Sequence, residues 1–173
     1  MDSLRGKLLI AAPALFDFFR RTVILMIEHT EEGAFGVVLN RASETSVDEA
    51  VPGIADLAGY GEPVWIGGPV GPQSVVILGE FADPEESPKL VAGNIGVVDP
   101  EAESEVIRAR VFAGHSGWGP GQLESELEKD AWLIDEPATE DLFSAADLWP
   151  LVLRRRGGQF AVLATMPEDP SLN

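Results

Sequence analysis

Residues 114–127 constrain the fold of this chain more than any other stretch. They read GHSGWGPGQLESEL, and an apolar, β-branched run over residues 106–113 precedes them. Glycine permits positive φ and close backbone approach, Pro120 suits the first position of a helix, and the free amides of a helix start attract anions. The stretch therefore predicts a strand, then a rigid glycine turn around a packed Trp118 with amides facing a cleft, and then a helix.

Size and composition fit one ordered domain. The chain has 173 residues, of which 45% are hydrophobic and 24% charged, as in globular domains. We expect a single domain over residues 1–173, with short polar tails at about 1–5 and 168–173. The sequence contains no cysteine, so disulfides, thiolate metal sites and thiol nucleophiles are excluded. Because Pro13 interrupts the first apolar run, we expect a cytoplasmic protein that does not associate with membranes.

The charge balance is strongly acidic, with 29 Asp and Glu against 12 Lys and Arg and a net charge of −17. Such a field repels the phosphate backbone of duplex DNA. Direct DNA binding is therefore not expected. The basic run Arg154–Arg156 precedes Gly157, which predicts the end of a helix, where cations complement the helix dipole.

Short apolar runs predict most of the secondary structure. Residues 22–27 and 34–39 read as two buried strands, antiparallel because a short polar connection ending in Gly33 joins them. Further strands are expected at 64–66 paired with 74–78 around a turn at 67–72, and at 106–113 and 131–134. Helices are expected as two short pieces within 47–57, and at 122–129 and 148–156. Irregular mixing of strands and helices predicts an α+β fold.

Five segments occur in order along the chain: Arg21-Thr22-Val23, Glu28-His29, Gly33 to Arg41, Gly67-Gly68-Pro69-Val70 and Gly114 to Glu124. In these segments the chain resembles the AlgH/YqgE family of small bacterial proteins. The resemblance implies a compact α+β domain with a coiled, partly barrel-like sheet, mixed or antiparallel, flanked by helices. It also implies a link, by name, to transcriptional regulation of exopolysaccharide synthesis. Residues 73–79 replace the family's Arg-Gly-Phe-Val-Leu-His-like strand and lack its histidine, so no role of that histidine is carried over.

Polar residues at strand ends and the glycine stretch form the candidate site. The candidate ligand-binding residues are Glu28, His29, Asn40, Arg41, Gly114, His115, Gly117, Trp118, Gly119, Gly121 and Gln122. The ends of an antiparallel hairpin lie apart, so Glu28 and His29 meet Asn40 and Arg41 only if the sheet curves. Structural roles compete with binding, because such side chains also cap turns, satisfy backbone groups and form ion pairs. The glycines could likewise serve only the packing of Trp118.

The leading functional hypothesis is a non-enzymatic regulatory or accessory protein that acts through a protein partner or a small anionic ligand, with an indirect link to transcription. The rival is an uncharacterised enzyme, most plausibly a hydrolase, using a cleft near His29, Arg41 and the 114–122 loop. Its nucleophile would be Ser116 and its base His29 or His115, although the nucleophile-elbow spacing is absent.

No cofactor is expected. No metal site is expected either, because the two histidines lack a ligand spacing. The predicted turn also implies that Gly119→Val harms folding or binding.

Overall fold

Ten strands build the sheet of this protein in the computed structural model, which describes residues 2–15, 17–144 and 147–166. The strands are β1 (Leu8–Ala11), β2 (Val23–Thr30), β3 (Gly33–Val38), β4 (Ala42–Ser46), β5 (Pro63–Ile66), β6 (Val70–Phe81), β7 (Lys89–Ala92), β8 (Ile95–Val97), β9 (Val106–Trp118) and β10 (Trp132–Asp135). Their order is β10-β1-β2-β3-β9-β6-β8-β7, and β5 links β9 to β4. Among the described strands, only β5 and β9 pair in parallel, so the sheet is mixed. Its end strands β10 and β7 do not pair within the described residues, so the sheet is not closed into a barrel.

Six short helices flank the sheet and confirm the α+β class. They are α1 (Val47–Ala50), α2 (Ala55–Ala58), α3 (Gln122–Glu128), α4 (Thr139–Phe143), α5 (Leu148–Arg156) and α6 (Gln159–Leu163). A 3-10 turn at Pro52–Ile54 separates α1 from α2, so the prediction of two short pieces is confirmed. Within the described residues, no helix is long and apolar enough to cross a membrane.

The predicted end of α5 is confirmed, since three arginines fill its last turn and Gly157 follows with φ +79°. Two of these arginines also hold the fold together. The Arg155 guanidinium makes a bidentate ion pair with Asp141 at 2.8 and 2.9 Å, and Arg156 donates to the Ile134 carbonyl at 2.7 Å. The basic run therefore serves local structure.

β2 lies at the centre of the molecule, with side chains buried on both faces. Val23, Leu25 and Ile27 pack on one face with the apolar side of α5. Ile24 and Met26 pack on the other face with Leu123 of α3 and with Trp118 and Trp132. Each fully buried aliphatic side chain stabilises the fold by about 1.5–3 kcal/mol. The prediction of a buried strand over 22–27 is confirmed, and so is its antiparallel pairing with β3.

A third apolar cluster joins α1 and α2 to the middle of the sheet. It contains Val47 of α1, Ala55 of α2, Val64 of β5, Ile77 of β6 and Val111 of β9. β10, predicted over 131–134, is an edge strand on β1, and of its four residues only Trp132 is buried.

Two predictions about the sheet are wrong. Residues 64–66 and 74–78 do not pair with each other, because β5 lies between β4 and β9 while β6 pairs with β8 and β9. The strand expected at 106–113 continues to Trp118. At the chain ends, Leu4 of the predicted 1–5 tail is buried, and the predicted 168–173 tail lies outside the described residues.

Candidate functional site

A β-bulge decides which faces of the sheet Glu28 and His29 occupy. The β2–β3 register shifts around Ile27, which is an extra residue in β2. Side chains alternate between faces along a strand, and an extra residue exchanges the faces of all residues after it. His29 therefore pairs with Ala34 on the α3 side, whereas Glu28 lies with Phe35 on the α5 side. The two neighbours are thus separated by the sheet.

Both ring nitrogens of His29 are used by the fold. The side chain is 6% exposed, and its Nε2 lies 2.6 Å from Oε1 of Glu124. The backbone amide of Leu4 donates to Nδ1 at 2.9 Å. Nδ1 is therefore an acceptor, and the proton of the neutral ring sits on Nε2 and is donated to Glu124. His29 ties three distant segments together and has no nitrogen available as a general base.

The cavity beside His29 is acidic. It has a volume of about 320 Å³ and is lined by Ser3, His29, Thr30, Glu31 and Glu124. Two of these five side chains are carboxylates, and none carries a fixed positive charge. An anion would be repelled here.

Glu28 is also held by a partner in the fold. Lys89 of β7 donates to its carboxylate, and this hydrogen bond and positive charge hold the pKa of Glu28 below its ordinary value. The Lys89 ammonium also lies 5.9 Å from the centre of the Phe35 ring. The pair joins β2 to β7 across the face of the sheet.

Asn40 clamps the chain just before β2. Its Oδ1 accepts the backbone amide of Val23 at 3.0 Å, and its Nδ2 donates to the carbonyl of Arg21 at 2.8 Å. Arg21 has a φ of +56°, which is uncommon for a residue with a side chain. The Asn40 amide thus fixes the position of Arg21 from the end of β3.

Arginines gather at this end of the sheet. Arg20, Arg21, Asn40, Arg41 and Asp147 line a cavity of about 240 Å³. Among the described residues that line it, three are arginines and one, Asp147, is a carboxylate, in a chain with a net charge of −17. The field inside the cavity is positive although the surrounding protein is acidic.

The fold holds two of the three guanidinium groups in place. Arg21 lies over the Trp149 ring at 4.5 Å and donates to the Met166 carbonyl at 2.6 Å. Arg41 donates to the Arg20 carbonyl and lies 5.6 Å from the centre of the Phe18 ring. These contacts reduce the side-chain entropy that ligand binding would otherwise cost.

The glycine stretch is not the predicted turn. β9 runs through Gly114 to Trp118; His115 pairs with β6, and Gly117 and Trp118 pair with β3. Only residues 119–121 form the turn. Pro120 precedes the N-cap of α3, which is Gly121 with φ +75°, so Pro120 does not occupy the first helical position.

The amides at this turn are partly capped by the protein itself. The Gly119 amide donates to Oε1 of Gln122 at 3.0 Å. Trp118 is packed as predicted, 6% exposed, and its Nε1 donates to Glu126 at 3.0 Å. The Glu126 carboxylate also accepts a hydrogen bond from the Gln122 side chain at 3.1 Å, so a negative charge of the protein already lies beside this turn.

Gly67 and Gly68 allow the segment between β5 and β6 to pass close to the backbone of β9. A Cβ on Gly67 would lie 2.4 Å from the Gly114 carbonyl oxygen, and one on Gly68 would lie 2.1 Å from the His115 carbonyl. Gly114 itself has φ +72°. By contrast, a Cβ on Gly119 would meet nothing within 4 Å and φ there is not positive, so neither crowding nor backbone strain supports the expectation that Gly119→Val is harmful.

The imagined hydrolase cleft is not assembled. The Ser116 hydroxyl is fully buried and donates to the Gly67 carbonyl at 3.1 Å. His115 packs edge-on against Phe35, on the sheet face opposite His29. Arg41 lines the arginine cavity at the other end of β3. The three parts of the predicted cleft therefore occupy three separate places.

Arg20 and Arg21 line the arginine cavity but are not among the candidate residues predicted from the sequence. The available signal was a pair of adjacent arginines directly before a buried strand in a chain poor in cations. Their meeting with Asn40 and Arg41 depends on hairpin geometry, which returns the end of β3 to the start of β2. Within the described residues, no cluster of three or more potential ligand residues could hold a metal ion.

Comparisons with known proteins agree with this fold. The structure superposes on that of a Corynebacterium diphtheriae protein with a TM-score of 0.86 and 32% identity, covering 95% of this chain and 93% of that one. The solution structure of the AlgH protein from Pseudomonas aeruginosa gives a TM-score of 0.72 and 26% identity, covering 95% of each chain. These matches define a class of small α+β bacterial proteins.

Sequence relatives define the family. The chain is 45% identical over 187 residues to a UPF0301 protein of Streptomyces coelicolor, covering 100% of this chain and 97% of that protein. It is 43% identical over 181 residues to a UPF0301 protein of Mycobacterium tuberculosis, covering 97% and 90%. The AlgH-like family model matches residues 8–161. The chain belongs to the AlgH-like family.

Proposed function

We propose that this protein is a non-catalytic, cytoplasmic binding protein whose regulatory or accessory role depends on a small anionic ligand held in the arginine cavity. The observation that supports this most directly is the meeting of Arg20, Arg21 and Arg41 around one cavity in an acidic chain. Like charges are not brought together without cost, and an anion between them removes the repulsion.

The chemistry of the cavity favours a ligand with more than one negative charge, such as a phosphate group. Guanidinium groups bind phosphate through paired N–H donors. A volume of about 240 Å³ corresponds to roughly eight water molecules at about 30 Å³ each, which suits a phosphate group and a small attached body. The proposed role needs no direct DNA contact, because the remainder of the surface is acidic.

The enzymatic alternative has little support from the geometry. A hydrolase built from Ser116 and His29 needs an exposed nucleophile beside a base. Ser116 is instead buried against the Gly67 carbonyl, and both ring nitrogens of His29 already have hydrogen-bond partners. A protein partner with an acidic segment remains the competing occupant of the arginine cavity.

The test is calorimetric titration with inorganic phosphate, using Arg20→Gln and a matched control, Arg154→Gln. Arg20 makes no hydrogen bond or ion pair through its side chain to the rest of the described chain, so its loss should not harm folding. Arg154 is exposed in the last turn of α5, so Arg154→Gln removes the same charge at a position outside the arginine cavity. We expect saturable binding that weakens with added salt, a loss of about tenfold in Arg20→Gln, and no loss in Arg154→Gln.

Equal phosphate binding by both variants would contradict the ligand proposal. So would the lack of a saturable signal up to tens of millimolar phosphate, roughly the weak limit of specific binding, and it would favour the protein partner. Fluorescence anisotropy with a labelled DNA duplex at moderate salt should show no association.

A further inference from the structure

A second cavity lies between α1–α2 and β9 and has a different chemistry. It has a volume of about 220 Å³. Its walls combine polar surface with the apolar side chains of Val47, Leu57, Val111, Trp65 and Phe143. Its charged lining residues are Glu62, Arg108 and Arg110. A cavity in which apolar side chains meet a few convergent charged groups can hold a small molecule through both kinds of contact.

The two arginines of this cavity differ sharply in their partners. Arg108 pairs with Glu80 at 2.8 Å and with Glu140, and it lies over the Phe143 ring at 4.1 Å. Arg110 stacks on Trp65 at 4.0 Å and donates to the Ser144 carbonyl at 3.3 Å. In the described part of the chain, no carboxylate oxygen lies within 4.0 Å of the Arg110 guanidinium.

Arg110 is therefore a partly desolvated cation that forms no ion pair with the described residues. Its burial lowers its pKa to about 10, so the guanidinium remains charged at neutral pH. A partly buried charge without an ion pair is unfavourable, and an apolar side chain of similar length could pack on Trp65 without that cost. The guanidinium therefore has the position and orientation to bind an anion that enters the cavity.

We propose that this cavity binds a small monocarboxylate with an apolar body, whose carboxylate pairs with Arg110 while the apolar part packs against Leu57 and Val111. Guanidinium and carboxylate form two parallel hydrogen bonds. The volume corresponds to roughly seven water molecules at about 30 Å³ each, so the ligand is compact, on the scale of benzoate.

The electrostatics select a single negative charge. Arg108 is already neutralised by its two glutamates, and the carboxylate of Glu62 acts on Arg110 from the rim. A dianion would be repelled by these three carboxylates after only one cation is satisfied. This site is thus distinct from the arginine cavity, where three guanidinium groups favour phosphate.

The test follows the Trp65 indole N–H signal by heteronuclear NMR during titration with benzoate. Benzamide, which has the same shape without the charge, and inorganic phosphate serve as comparison ligands. Trp65→Phe assigns the signal among the four tryptophans. We expect a saturable shift with benzoate, a response to benzamide that is at least about tenfold weaker, and benzoate binding that persists in saturating phosphate.

Arg110→Met separates a binding role from a structural one, with Arg154→Met as its matched control. Methionine keeps an unbranched chain over Trp65 and removes the charge. We expect benzoate affinity to fall by at least about tenfold while the melting temperature stays the same or rises, because an unpaired buried charge is removed.

Four results would overturn the proposal. They are equal shifts with benzoate and benzamide, no shift up to about 50 mM benzoate, unchanged affinity in Arg110→Met, or a large loss of thermal stability in that variant. The last result would show that the guanidinium serves the fold. Loss of phosphate binding alone would count against the proposed function and not against this site.

Discussion

Replacing Asn40 with alanine is expected to destabilise the protein and to disturb the arginine cavity together. The substitution removes both hydrogen bonds that the side chain makes, to the Val23 amide and the Arg21 carbonyl. Val23 is fully buried, so its amide would lose its partner without access to water. An orphaned buried donor costs about 1–3 kcal/mol, whereas the half-exposed carbonyl can bond water and costs about 1 kcal/mol.

The sum predicts a loss of about 2–4 kcal/mol in the free energy of unfolding. For a domain of this size, 1 kcal/mol corresponds to about 2–4 °C in melting temperature, so we expect a decrease of about 4–16 °C. Asn40→Asp keeps the acceptor for the Val23 amide and gains attraction from the neighbouring arginines. It should lose about half as much stability.

The assay is urea unfolding followed by tryptophan fluorescence, with Asn94→Ala as the control. Asn94 is an exposed turn residue whose backbone carbonyl accepts the Phe81 amide, and alanine preserves that bond. Phosphate titration of the folded Asn40→Ala protein should show weakened binding, because Arg21 is no longer held. A stability loss in Asn40→Ala no larger than in Asn94→Ala would refute the reasoning.

Three further predictions concern other parts of the molecule. Gly68→Ala should prevent folding, because its Cβ would lie 2.1 Å from the His115 carbonyl of β9. Gly119→Val should change the melting temperature little, because no atom lies within 4 Å of a Cβ there. Comparable effects of the two substitutions on thermal unfolding would contradict this prediction. The Lys89–Glu28 pair lowers the pKa of Glu28 in the folded protein, so it stabilises the fold at pH values above the ordinary glutamate pKa of 4.5. This stabilisation is lost as the pH falls through the lowered pKa. Lys89→Met should therefore be less stable than the wild type near neutrality, and urea unfolding across a pH series should show the difference shrinking on acidification; a constant difference would argue against it. Ser116→Ala should cost about 1 kcal/mol in stability for the lost hydrogen bond and leave phosphate binding unchanged in calorimetry; lost binding would place the hydroxyl at the ligand.

Local sequence determined the elements whose signals are local. The apolar run at the start of β2 was long enough to predict a strand buried on both faces. The arginines before Gly157 marked the end of α5, and Pro52 marked the break between α1 and α2. The hallmark segments identified the family, and with it the α+β class. In each of these cases the deciding interactions lie within a few residues of one another.

Tertiary structure decided what depends on distant partners. The extension of β9 to Trp118 follows from backbone pairing with β3 and β6, and no local pattern distinguishes a glycine needed for a turn from one needed for close crossing of two backbones. The bulge at Ile27 exchanged the faces that Glu28 and His29 occupy, which a strict alternation cannot reveal. The arginine cavity arises because hairpin pairing returns Arg41 to the start of β2. The pairing register of β2 and β3, rather than the spacing of the arginines in the sequence, therefore brought the positive charges of the candidate site together.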